Sequence, residues 1–135
     1  MPGQADSREV AEQWAQKAEN DIRCAEALLK LHRDSAIDNI CFLAQQGVEK
    51  YLKALLSLKN IDFPKTHNIS EILFLLPKVS RPKMTIKEQE QISNYAVVTR
   101  YPGDYGDVSF AEAKQALVIA KRVQAFARRK LAHWS

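Results

Sequence analysis

Glycine and proline are scarce in this chain, four and five among 135 residues, and that excludes a β-rich fold built on many tight turns. Strand-type alternation of apolar and polar residues is also missing. Long apolar runs are absent. ICFLA and ILFLL, the most apolar stretches, are far too short to cross a bilayer. The opening MPGQADSREV has no apolar core, so no secretory signal is expected. Cysteine appears only as Cys24 and Cys41, in separate helical patterns, and both are expected to be small buried residues in a reducing compartment rather than a disulfide. His32, His67 and His133 are dispersed, with no second ligand at one-turn spacing, so no metal site is expected. No glycine-rich phosphate loop of known type is present, and no cofactor is implied. The chain reads as cytoplasmic and soluble.

What remains is the composition of a helical globular domain. Apolar residues make up 46% and charged residues 27%, the balance of a chain that buries one core, and a single domain over 1–135 is expected. The net charge of +4 admits a polyanionic partner without requiring one.

Helix starts are well marked by a short polar side chain followed three residues later by an acid, the pairing that satisfies orphan first-turn amides. The pattern occurs at Asp6 with Glu9, Asn68 with Glu71, Thr85 with Glu88, and Ser109 with Glu112; Ser35 with Asp38 is a weaker version. Five helices follow. The first is expected over Ser7 to Leu31, with an apolar stripe of Val10, Trp14, Ala18, Ile22, Ala25, Leu28 and Leu29. The second, over Ala36 to Lys59, carries Ile37, Ile40, Cys41, Ala44, Val48, Tyr51, Leu52 and Leu55 on one face. Phe42 and Leu43 extend its apolar surface, so it is expected to be the central helix. Pro64 bars its continuation into IDFPKTH. A short third helix ends at Pro77, a fourth runs from about Ile86 to Val98, and a last long one from about Phe110 to Ala132. Short links between long amphipathic helices predict an all-α, antiparallel up-and-down bundle of four to five helices.

Three places carry candidate chemistry. On the second helix Gln45, Gln46, Glu49, Lys50 and Lys53 interrupt an apolar segment, and Glu49 is placed to pair with Lys53 at i,i+4. These residues read either as a solvated face or polar seam, or as an anion site in which Lys50 and Lys53 meet a phosphate. His67, just before the Asn68 cap, either closes the loop or is a titratable group beside a helix start that receives an anion. RYPGDYGD, from Arg100 to Asp107, is longer than a connector needs. Its Pro102, Gly103 and Gly106 set turns, while Arg100, Tyr101 and Tyr105 are suited to gripping a phosphate and stacking on a base. The basic ARRKLAH run complements a helix C-terminus.

CFLAQQGVEKYLKALL, then FPKTHNISEIL, then RYPGDYG ahead of an alanine-rich helix together resemble the HEPN domain (higher eukaryote and prokaryote nucleotide-binding) of the stand-alone prokaryotic type, from about Ala11 to Leu131. The resemblance implies a helical bundle that commonly forms homodimers and often works with a minimal nucleotidyltransferase as a toxin–antitoxin or related pair. It implies nucleotide or RNA as ligand. Many members are metal-independent ribonucleases with an Arg and, shortly after it, a His near the start of the last long helix. Arg100 matches that arginine by position, but YPGDYGDVSF follows without a His. Arg128 and His133 fit the spacing at the wrong end of the helix, and the match is read as coincidental. The RYP-type loop resembles a branch discussed as nucleotide-binding. Three functions are therefore carried forward: a nucleotide- or RNA-binding module using Lys50, Lys53, His67, Arg100, Tyr101 and Tyr105; a ribonuclease toxin using Arg100 with His67 as the stand-in acid or base; and a non-catalytic dimeric interaction domain.

Overall fold

The computed structural model describes residues 4–96 and 108–133. Among them are five α-helices and no strand: α1 (Gln4–Lys30), α2 (Ile37–Leu58), α3 (Ile69–Leu75), α4 (Ile86–Asn94) and α5 (Phe110–His133). They form the expected all-α bundle. Helix α2 packs against α1 along one side and α5 along another, and also touches α3 and α4, so it is the central helix that its apolar pattern implies. Ile22, Ile40, Val48, Leu52, Leu56, Ile69, Ile72, Ile92 and Ile119 are fully buried and make one core to which every helix contributes.

The tight approach of α1 to α2 has a local cause. A Cβ placed on Gly47 would lie 2.8 Å from Ile22 Cγ1 and 3.1 Å from its Cδ1, so α1 meets α2 where only glycine fits. Ala11, Ala18 and Ala25 at heptad spacing continue that tight seam along α1. Helix α2 stops before Pro64 acts. Asn60 takes a left-handed conformation at φ 58°, its amide bonds Ser57 O at 3.1 Å, and the Ile61 amide returns to Leu56 O at 2.9 Å. This closure turns the chain back and aims the 59–68 loop across the bundle.

Helix ends show which local signals decide. Asn68 accepts the Glu71 amide at 3.1 Å, Thr85 and Glu88 form a complete reciprocal capping box, and Ser109 accepts the Glu112 amide at 3.0 Å, all as expected. The Asp6 start is corrected: α1 begins at Gln4, because nothing after Gly3 breaks a helix and the Ser7 hydroxyl binds Asn60 Oδ1. Ser35 makes no capping bond. It lies inside a 3₁₀ turn, Asp34–Ala36, whose Ala36 amide returns to Arg33 O at 3.0 Å, and Ala36 is the N-cap of α2 without any side-chain bond. Helix α4 ends at Asn94, short of Val98, where the buried Tyr95 turns inward to bond Glu112 at the start of α5. Cys41 is buried as expected, but Cys24 is exposed, lying off the apolar stripe of α1.

Candidate functional site

A 3.6-residue period sets Gln45, Glu49 and Lys53 on one ridge of α2, and Glu49 is nearly inaccessible at 3% exposure. A buried carboxylate is costly unless donors surround it, and three do. Gln45 Nε2 donates to Oε1 at 2.8 Å, Lys53 Nζ to Oε2 at 2.9 Å, and His67 Nδ1 lies 2.8 Å from Oε1. Gln46 Nε2 extends the chain by donating to Gln45 Oε1 at 2.7 Å. Burial alone would raise the Glu49 carboxyl, but the hydrogen bonds of His67, Lys53 and Gln45 outweigh it and hold the group below the usual carboxylate range. The carboxylate is therefore ionised at neutral pH.

Lys53 and His67 share this carboxylate but present themselves differently. The Lys53 ammonium is boxed inward, 5.1 Å from the Trp14 ring centroid and 5.6 Å from that of Phe63, two rings that meet edge-to-face at 6.3 Å. The His67 side chain is 67% exposed. With Glu49 ionised, the bond to Oε1 places a proton on Nδ1 and leaves Nε2 outside this bond on an exposed ring. The Asn60 closure of α2 is what brings Phe63 and His67 to this end of the ridge.

Lys50 does not join the cluster. Its Nζ pairs with Asp21 of α1 at 2.6 Å, both side chains being about one-fifth exposed. The start of α3 beside His67 is satisfied from within: the Asn68 amide bonds Thr66 Oγ1, Ile69 N bonds Ser93 Oγ, and Glu71 N bonds the Asn68 side chain. Any anion role of His67 therefore lies in its ring, with no help from these amides. Arg100, Tyr101 and Tyr105 lie outside the described residues.

A second polar cluster ties α1, α2 and α5 together. Glu19 receives Tyr51 Oη at 2.9 Å, Gln124 Nε2 at 3.1 Å, Arg23 Nε at 3.3 Å, and Arg128 Nη2 at 2.6 and 2.5 Å from its two oxygens. Burial together with the hydrogen bond to Glu19 pushes the Tyr51 hydroxyl up to about 12. Arg128 is thus committed to a structural carboxylate. The sequence pattern missed this cluster because its members come from three helices. It also read Glu49 only as the partner of Lys53. The signal was present, since Gln45 and Glu49 fall in phase with Cys41, Val48 and Leu52 and so point into the bundle.

Among the described residues no group of three His, Cys, Asp or Glu side chains is placed to hold a metal ion, and no helix is long and apolar enough to cross a membrane. The family model of the HEPN domain matches residues 11–130. The fold is similar to the crystal structure of TT1696 from Thermus thermophilus, with a TM-score of 0.71 and 27% identity over 89% of this chain and 97% of that one. No curated protein matches.

Proposed function

The chain belongs to the HEPN domain family, and from that premise we propose that it is a cytoplasmic, homodimeric nucleotide- or RNA-binding module working beside a minimal nucleotidyltransferase in a toxin–antitoxin-like pair. The observation that carries this reading is the buried Glu49 carboxylate holding His67 and Lys53. It fixes an exposed imidazole in one orientation, on the same carboxylate as a lysine that lies against the Trp14 and Phe63 rings, which suits contact with a phosphate. Arg100, with Tyr101 and Tyr105, supplies the second half of the grip in this reading. Lys50 contributes only through the local field, since Asp21 neutralises it. Titrating purified protein with a panel of nucleotides and short RNAs tests this: binding is expected, weakened about tenfold or more in His67→Ala and in Arg100→Ala. Absence of binding across the panel, or indifference to both substitutions, removes the reading.

A second reading is favoured by the carboxylate–imidazole pair itself. A buried carboxylate orienting an exposed histidine is the arrangement of a general base. In a ribonuclease, His67 Nε2 would take the proton of a ribose 2′-OH as that oxygen attacks the adjacent phosphorus. The 5′-oxygen would leave taking a proton from a water molecule, His67 would later return the proton it took to solvent, and Arg100 would stabilise the phosphorane charge. Incubation with total RNA in EDTA tests it: cleavage is expected to fall about 100-fold in His67→Ala. No cleavage by the unaltered chain excludes this second reading and leaves the binding reading standing.

A further inference from the structure

Away from Glu49, α3 and α4 enclose a groove of about 630 Å³ whose apolar walls are Leu73, Phe74, Pro82 and Met84. Large apolar side chains stand open on and beside it: Phe74 is 61% exposed, Val79 84% and Ile86 71%. Exposed apolar surface of this density marks an interaction site on a globular domain. Its charge is predominantly positive, Lys78, Arg81, Lys83 and Arg122 lining it against the single acid Glu88. From Ile72 to Lys87 the chain contains Lys78, Arg81, Lys83 and Lys87 and no acid.

The groove is built rather than incidental. Arg81 Nε bonds Leu76 O at 2.8 Å and its Nη2 bonds Phe74 O at 3.3 Å, with the guanidinium 4.7 Å over the Phe74 ring. Gln89 joins the two helices at the base, accepting from Ser70 Oγ at 2.7 Å and donating to Met84 O at 2.9 Å. Arg122 and Glu88 neutralise each other at 2.8 Å. Among the described residues Lys78, Arg81 and Lys83 pair with no carboxylate, so the rim keeps its positive charge.

We propose that this groove is the docking site for an acidic amphipathic segment of a partner protein, its apolar anchors entering between Phe74 and Met84 and its carboxylates meeting Lys78 and Lys83. Charge complementarity selects that occupant. An apolar floor gives nothing to a phosphate backbone, and a concave surface offers a flat bilayer only its rim, whereas a helix or strand with apolar residues on one face and acids beside them satisfies both parts at once. The site is independent of the Glu49–His67 cluster and of the ligand assigned there.

The test is fluorescence anisotropy with a labelled synthetic helix-forming peptide that carries leucines at i, i+4 and i+7 and glutamates between them. A peptide with lysines in place of the glutamates, a short RNA and phosphatidylserine vesicles serve as comparisons. Saturable binding of the acidic peptide is expected, weaker at high salt and about tenfold weaker in Phe74→Glu and in the Lys78→Glu, Lys83→Glu double variant. Because all three side chains lie on the surface, circular dichroism should match the unaltered chain. Four outcomes overturn the proposal: no saturable binding up to about 1 mM peptide; equal binding of the lysine peptide; binding unaffected by either variant; or loss of a homodimer in Phe74→Glu, which would make the groove a contact between copies.

Discussion

Glu49 is the residue on which the candidate site turns. Removing its carboxylate strands the Lys53 ammonium against two rings with no counter-charge, and a broken buried pair costs about 3 kcal/mol. Glu49→Ala is therefore expected to lower unfolding free energy by about that amount in a urea titration. The same carboxylate gives a pH signature. Its folded pKa lies below the ordinary 4.5, so its stabilisation is complete above that value and is lost as pH falls through the lower folded pKa. Stability measured from pH 7 down to about 3 should decline in the acid part of that range, and Glu49→Gln should flatten the decline without abolishing it. Glu19 and Glu88 are depressed in the same direction and keep part of the slope.

Tyr51 has the opposite sign. Its hydroxyl is pushed up to about 12, so the contribution of its neutral form is intact below 10 and is lost as pH rises through about 12. A phenolate absorbance titration should show a late component near 12 that diminishes in Tyr51→Phe.

Among the elements, the seam between α1 and α2 carries the tightest constraint. Gly47→Ala would gain about 1 kcal/mol of helix propensity, yet its Cβ would meet Ile22, fully buried and without room to swing. Overpacking of this kind costs about 1–3 kcal/mol, so a net loss is expected by thermal unfolding. Combining Gly47→Ala with Ile22→Ala should destabilise less than the sum of the two single changes, because the second removes the atoms the first strikes. Helix signals were legible where they are local. Asn68, Thr85 and Ser109 cap as their spacing implies, since an amide three residues on needs no tertiary information. Asp6 and Ser35 match the same pattern, yet Asp6 lies inside α1, which begins at Gln4, and Ser35 lies in a 3₁₀ turn without a capping bond.

At the scale of the whole molecule, the all-α bundle and the central place of α2 follow from its apolar stripe, and both were legible in the sequence. Pairings between helices were not. That Lys50 would meet Asp21, or that Glu19 would gather Tyr51, Gln124 and Arg128, depends on helix order and rotation that no single segment encodes. Of the candidate site, the Glu49–Lys53 pair was visible as an i,i+4 spacing; the arrival of His67 on the same carboxylate required the left-handed closure at Asn60. The groove between α3 and α4 went unread for a related reason, since its walls come from two short helices and the turn between them.

The central claim is that a Glu49-anchored His67 meets the phosphate of a bound nucleotide or RNA. Ring-nitrogen NMR of ¹⁵N-histidine-labelled protein, titrated with short RNA in EDTA, addresses it directly. The account predicts a saturable shift of the His67 Nε2 signal that is lost in Glu49→Gln, with His32 unmoved. RNA that binds while His67 stays silent, or that shifts only other histidines, would contradict it.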